Sequence, residues 1–316
     1  MSDAIRIGTR GSALALWQAN EVARLLRVPS EIVIVKTTGD KRQDVPLAAI
    51  GGKGLFIKEL EEALEDGRID VAVHSLKDVP SLIPEQFALA AFLERADPRD
   101  AWIHPHGVSL DALPPGATVA TSAPRRRAQL LARRPDLRVE PIRGNVDTRL
   151  EKVRGGQYDA MVLASAGLTR LGRTEAITSL FAVDEMVPAA GQGIVALEVL
   201  SSNERAREAA RSINHAPSEI AALSERGVLQ AFGTRLDCYS SVAVHAAVAP
   251  HPASGHPLPA ARGEGLGVRG LETLTIRAFL SDYDGVRAIR ATRSGPDAVA
   301  RVADDLLQQG ALELLG

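Results

Sequence analysis

Short apolar runs alternate with amphipathic stretches along most of the chain, the pattern of α/β units. Ile5 to Gly8 reads as a strand, followed by the turn Thr9-Arg10-Gly11-Ser12. Ser12 is a good helix N-cap. Leu14, Trp17, Val22, Leu25 and Leu26 then fall near one face of a helix. Ile32 to Lys36 predicts a second strand. Gly51-Gly52-Lys53-Gly54 leads into a helix from about Leu55 to Glu65, stopped at Gly67. Ile69 to Val73 has the uninterrupted apolar character of a buried strand and runs into His74-Ser75-Leu76-Lys77-Asp78.

A second α/β unit follows. Asp97-Pro98-Arg99-Asp100 predicts a crossing between domains. Thr118 to Ala120 reads as a short strand, with Thr121 or Ser122 as cap of a helix containing Arg125-Arg126-Arg127. Val139 to Ile142 leads to Arg143-Gly144-Asn145 and a helix carrying Arg149. Ala160 to Ala164 is another strand, ahead of Gly167-Leu168-Thr169-Arg170. Pro188 to Gly193 predicts a second crossing, after which Val195 to Val199 returns to the first unit. The remainder predicts a helix, strands near 273–280 and 287–292, and a last helix containing Val299, Val302, Leu306 and Leu307. His251 to Gly270 is rich in Pro and Gly and reads as a surface loop. The expected domains are residues 1–95 with 194–213, residues 96–193, and residues 214–316.

Composition narrows this picture. Aromatics are only 3% of the 316 residues, so the cores must rest on Leu, Val, Ile and Ala. A net charge of −2 gives no global attraction to nucleic acid or an anionic membrane. No run of about 18 apolar residues predicts a membrane span. The single cysteine, Cys238, excludes an intramolecular disulfide. The opening Met1-Ser2-Asp3-Ala4-Ile5-Arg6 lacks the basic-then-apolar pattern of a secretion signal, so a cytoplasmic location is expected. His245, His251 and His256 lack a defined ligand spacing, and no metal is expected.

The chemistry shows in where charges fall. Arg10, Lys53, Lys77, Arg125, Arg126, Arg143, Arg149 and Arg170 all lie at predicted strand ends or first helical turns. Open α/β sheets bind ligands beyond the carboxyl ends of their strands, and helix N-termini there favour anions. Arginine adds a planar fork that matches carboxylates. The pattern points to a ligand with several carboxylates or phosphates. The Gly-rich turn at Lys53 is no P-loop, because Leu55 follows Gly54 where Lys then Ser or Thr would be needed. Asp78 stands out as a carboxylate among cations, suited to stabilising a cation formed in a reaction or to a structural ion pair.

Several ordered segments resemble the porphobilinogen deaminase (hydroxymethylbilane synthase) family. They are Arg6-Ile7-Gly8-Thr9-Arg10-Gly11-Ser12-Ala13-Leu14-Ala15-Leu16-Trp17-Gln18-Ala19, Gly51-Gly52-Lys53-Gly54-Leu55-Phe56, His74-Ser75-Leu76-Lys77-Asp78-Val79-Pro80, Arg143-Gly144-Asn145-Val146, Ala166-Gly167-Leu168 and Pro188-Ala189-Ala190-Gly191-Gln192-Gly193. The resemblance implies three α/β domains. Two resemble type II periplasmic binding protein lobes around a cleft, and a small third one carries a covalent dipyrromethane cofactor. It implies a cytoplasmic, monomeric transferase of tetrapyrrole (haem) biosynthesis. Four porphobilinogens, pyrroles bearing carboxylates, are joined head to tail with release of ammonia. By the same resemblance Asp78 is catalytic. Lys77, Ser122, Arg125 and Arg126 bind the cofactor, and Arg10, Ser12, Lys53, Arg143, Arg149, Arg170 and Gln192 bind substrate.

The chain departs from the family at the cofactor loop. The family reads Gly-Gly-Cys-Gln-Val-Pro, and this chain reads Thr234-Arg235-Leu236-Asp237-Cys238-Tyr239-Ser240-Ser241. Aligned from Thr234 without a gap, the cysteine position falls on Ser240. Attachment through Cys238, attachment through Ser240, and absence of the cofactor remain open at this point. Thiolate is the better nucleophile of the two. Asp147, where a glycine is usual, adds a negative charge between Arg143 and Arg149. A family paralogue with altered substrate or product length, and a non-catalytic binder of an anion, are the alternative readings.

Overall fold

The computed structural model describes residues 4–37, 57–236, 240–248 and 274–315. Lys53 and Cys238 lie outside the described residues, as does the loop expected from His251 to Gly270.

The first sheet begins with β1 (Ile5–Thr9), α1 (Ala13–Leu25) and β2 (Ser30–Ile34). It continues with α2 (Lys58–Glu65), β3 (Val71–Ser75) and β4 (Phe87–Phe92). The second comprises β5 (Asp100–Ile103), β6 (Thr118–Ala120), α3 (Pro124–Arg133), β7 (Arg138–Glu140), α4 (Val146–Arg154), β8 (Ala160–Ala164), α5 (Ser165–Arg170) and β9 (Ser179–Leu180). The chain then returns through β10 (Val195–Leu200) to the first sheet, whose order is β2-β1-β3-β10-β4. The second sheet runs β7-β6-β8-β5-β9. The two share one plan, with a parallel core and an antiparallel insertion: β10 opposes β3 and β4, and β5 opposes β8 and β9. After α6 (Glu204–Arg211) and α7 (Ala216–Gln230) comes a third, antiparallel sheet of β11 (Ser241–Val248), β12 (Leu274–Ser281) and β13 (Ala288–Ser294). Helices α8 (Ala298–Gln308) and α9 (Ala311–Leu314) complete it. The architecture is α/β throughout.

Each sheet is held by the aliphatic residues that its pattern offered. Ile5, Ile7, Val22, Val73 and Leu197 form one core on the first sheet. On the second, alternation along β8 sends Val162 to one face with Trp102 and Leu130, and Met161 and Leu163 to the other with Ile142 and Leu150. That two-sided burial explains the continuous apolar reading of Ala160 to Ala164. Phe232, Val244, Ile276, Leu280, Val302 and Leu306 fill the third core.

Three expectations need correction. In α1 the buried residues are Gln18, Ala19 and Val22, whereas Trp17 is 38% exposed. The helix is rotated because Gln18 turns inward to donate to Ser75 Oγ at 2.8 Å. Neither Thr121 nor Ser122 caps α3: its N-cap is Ala123. The Ser122 hydroxyl instead donates to Ile142 O at 2.5 Å and accepts from Ile142 N at 3.0 Å, joining the ends of β6 and β7. The segment expected as a crossing at Asp97–Asp100 ends in a strand, since Asp100 opens β5. The two crossovers run so close that a Cβ on Gly193 would fall 2.5 Å from Ala96 O, and Gly193 has φ +89°. Only glycine tolerates both conditions.

Candidate active site

A cleft of about 560 Å³ opens between the first two sheets. Its walls are the carboxyl ends of strands and the heads of the helices that follow, where α/β sheets place ligands. The first unit supplies Arg10, Ser12 and Leu14 after β1, and Ser75, Lys77 and Asp78 at the end of β3. The second supplies Ser122 to Arg126 at the head of α3, and Arg143 to Asp147 with Arg149 at the head of α4. Gln192 enters from the second crossover, and Ser240 and Val242 from the edge of β11. The sequence-predicted cations Arg10, Lys77, Arg125, Arg126, Arg143 and Arg149 thus converge on one space.

Local structure explains several of these positions. Ser12 caps α1 by accepting from Ala15 N at 3.3 Å, which fixes the turn that carries Arg10. Asn145 caps α4 through Thr148 N at 2.9 Å. Arg149, on the first turn of that helix, donates from Nε to Gly144 O at 2.8 Å. Enclosure, then its neighbour Arg143, pushes the Arg149 guanidinium down, against the pull of Asp78. Asp78 and Arg149 therefore act on each other electrostatically although they come from different units. Lys77 is exposed to the cleft, with residues of both units around it. That enclosure, with Arg126 and Arg125, pushes its ammonium down to about 8, while Asp78 and Asp100 pull it up.

Arg125 and Arg126 reach deeper than expected. Both are buried, and both clasp Asp100, which is wholly buried. Arg125 donates from Nη1 to Asp100 Oδ2 at 2.6 Å, and Arg126 from Nη2 to Asp100 Oδ1 at 2.7 Å. Burial alone would push the Asp100 carboxyl up; the two arginines outweigh it and hold it well below the usual carboxylate range. Gln192 completes the cluster, accepting from Arg125 Nη2 at 2.9 Å and donating to Asp100 Oδ1 at 3.0 Å.

Arg170 stands outside the lining of this cleft. It donates from Nη2 to Gly193 O at 2.7 Å and lies over the Trp17 ring, 5.4 Å from its centroid. Asp147 lines the cleft, but its carboxylate accepts from Arg173 Nε at 2.7 Å. Its charge is therefore shared with a residue that sequence reading overlooked. Asp100, Gln18 and Arg173 escaped that reading. Asp100 carried a usable signal, a carboxylate heading the apolar run Ala101-Trp102-Ile103, which has to find a partner once buried.

Cations from two α/β units beside Asp78, closed by the edge of a third sheet, make a cleft suited to a ligand with several carboxylates. The sequence model of the family described as "Porphobilinogen deaminase, dipyromethane cofactor binding domain" matches residues 5–208. Porphobilinogen deaminase of Acidithiobacillus ferrooxidans is 43% identical over 323 aligned residues, covering 100% of this chain and 98% of that protein. The enzyme of Geobacter sulfurreducens is 43% identical over 321, covering 98% and 93%. The chain belongs to the porphobilinogen deaminase family. Among solved structures, a TRAP periplasmic solute binding protein from Desulfovibrio salexigens with bound orotic acid aligns with TM-score 0.38 and 14% identity, over 67% of this chain and 76% of that one. The periplasmic VFT2 domain of Bordetella pertussis BvgS aligns with TM-score 0.36 and 17% identity, over 71% and 90%.

Proposed function

We propose that this protein is a transferase that condenses porphobilinogens head to tail into hydroxymethylbilane, releasing ammonia, in tetrapyrrole biosynthesis. The observation that carries the reading is the convergence of cations from both units on the space beside Asp78. The full-length identity to porphobilinogen deaminases supports it. Residues 1–95 with 194–213, residues 96–193 and residues 214–316 serve as its three domains.

The donor set suits a dipyrromethane cofactor. Arg10, Lys77, Arg143 and Arg149 offer charge-assisted hydrogen bonds to carboxylates. Leu14, Leu171 and Val242 offer apolar surface to pyrrole rings. When bound, the dipyrromethane supplies a nucleophilic pyrrole end on which the chain can be extended. Lys77, Arg125 and Arg126 hold its side, while Arg10, Arg143 and Arg149 receive the acetate and propionate groups of incoming substrate. The Ser122 hydroxyl acts by fixing the β6 and β7 ends, and Gln192 by setting the arginine pair. Asp78 holds the pyrrole N–H and stabilises positive charge that develops as ammonia leaves.

Cys238 is the proposed attachment residue. Ser240 and Val242, which follow Cys238 closely in the sequence, both line the cleft. Placing the two-residue shortfall ahead of the cysteine sets Cys238 on the family cysteine and Ser240 two places beyond it. Intact mass of the purified protein tests this, alongside an assay with porphobilinogen. Wild type and Ser240→Ala carry the mass of two linked pyrroles, and Cys238→Ser does not. An unmodified, inactive wild type would sink the reading.

A further inference from the structure

The cluster behind the head of α3 is over-built for a simple ion pair. Arg125 donates four times: to both Asp100 oxygens, to Val187 O at 3.1 Å and to Gln192 Oε1. Arg126 also donates four times: twice to Asp100 Oδ1, to Val162 O at 3.2 Å and, at 3.5 Å, to Gln192 Oε1. A guanidinium has five N–H donors. Each fork is therefore mostly spent inside the protein before any ligand arrives. Yet both arginines line the cleft, and Asp100 lies behind them, outside its lining.

We infer that Asp100, braced by Gln192, is a positioning residue that serves as an internal stand-in for a ligand carboxylate. It holds the forks of Arg125 and Arg126 in carboxylate-binding geometry and releases part of their donors when a carboxylate enters the cleft. The inference rests on the reading that this arginine pair faces an anionic ligand. Two guanidiniums share one carboxylate, so the cluster keeps a net positive charge toward the cleft. Like charges on consecutive residues of one helical turn would otherwise repel and splay. A buried ion pair is weak evidence of a stabilising role, because desolvation cancels much of its attraction. Gln192 supplies the neutral part: its amide donates to Pro98 O at 2.6 Å and to Asp100, which anchors the carboxylate between the crossovers without adding charge.

The stand-in role predicts competition. In full-length apoprotein made without a pyrrole supply, citrate binding is read from the thermal midpoint at constant ionic strength. Asp100→Asn removes the internal competitor, and its citrate affinity is expected to rise on the order of tenfold. Its midpoint without citrate is expected to fall, and citrate should restore it. A structural salt bridge would give the same fall, with a citrate-induced rise no larger than that of wild type. Equal or weaker citrate binding by Asp100→Asn overturns the inference. Gln192→Met, which removes the brace and leaves no charge unpaired, covers the case where Asp100→Asn does not fold. It should bind citrate about two- to fivefold tighter, since it releases one donor on each fork, and unchanged or weaker binding overturns the inference. The citrate comparison uses apoprotein, so it stands or falls separately from the dipyrromethane mass on Cys238.

Discussion

Arg95 Nη1 lies 2.6 Å from Glu225 Oε1, which ties the first crossover to α7 of the third unit. The other bonds of that carboxylate make it a joint. Oε1 accepts from Ala246 N on β11 at 2.7 Å, and Oε2 from Gly191 N on the second crossover at 2.6 Å. Both crossovers and the strand behind the cofactor loop thus meet on one buried anion. Burial lifts the Glu225 carboxyl above its ordinary range, although Arg95 and the two amides pull it down. The three donors that reach it favour its ionised form. Glu225→Gln turns an amide N–H toward one of those donors and leaves the half-buried Arg95 without its counter-charge. Denaturant unfolding should show a loss of about 3–5 kcal/mol. A loss under about 1 kcal/mol would mean that the joint is not a stability element.

Asp78 sits at the end of β3 on a short 3-10 turn, Leu76–Asp78, whose backbone is closed by Val79 N donating to Leu76 O at 3.0 Å. Arg226 on α7 grips the segment just beyond, donating to Pro80 O at 2.7 Å and Ser81 O at 2.9 Å. The backbone turn that carries Asp78 is thus tied on its C-terminal side. Asp78→Asn keeps the shape and removes the charge. With Asp78 as the group that stabilises a developing cation, kcat should drop about 10²–10³-fold, with the cofactor mass unchanged. A loss of cofactor mass along with activity would assign Asp78 to assembly rather than turnover.

Much of this was legible in advance because two signals agreed. Strands β1, β6 and β8 announced themselves by apolar runs, and the arginines by falling just after them. What the sequence hid was long-range pairing. Asp100 contacts Arg125 and Arg126 only because β5 is inserted antiparallel beside β8, and no local period encodes that. The rotation of α1 had the same origin: the partner of Gln18, Ser75, is 57 residues away. Arg170 read as a ligand-binding cation from its place after a strand, and that position gave no sign of its contacts with Gly193 and Trp17.

Lys77 gives the cleft a pH limit. Its ammonium titrates near 8 rather than 10.5, chiefly through enclosure. The charged form, which attracts carboxylates, is present below that value and lost above it. KM for porphobilinogen should therefore rise from about pH 8 upward, and Lys77→Arg, which stays charged, should flatten that limb. The stability sign is opposite. A lysine depressed on folding binds fewer protons in the native state between about 8 and 10.5, so its contribution to stability improves as pH rises through that window. A KM that stays flat to pH 9.5 in wild type would remove Lys77 from ligand binding.

Arg170 distinguishes a lobe contact from a substrate contact. It projects from α5 of the second unit, bonds Gly193 O on the crossover, and lies over Trp17 on α1 of the first unit. Burial pushes its guanidinium down to about 10, with Glu21 opposing, so it stays charged at neutral pH. A cation over an indole is worth about 0.5–2 kcal/mol, enough to bias how the two units meet but too little to set the fold. Arg170→Gln should therefore change kcat and KM together by severalfold, as expected of a residue that governs closure, whereas loss of a pure substrate contact raises KM alone. Trp17 provides a direct readout. The other tryptophan, Trp102, is 1% exposed, while Trp17 is 38% exposed. Loss of the guanidinium should shift emission to the red as water replaces it. If Arg170→Gln raises KM with kcat and the emission spectrum unchanged, Arg170 binds substrate directly.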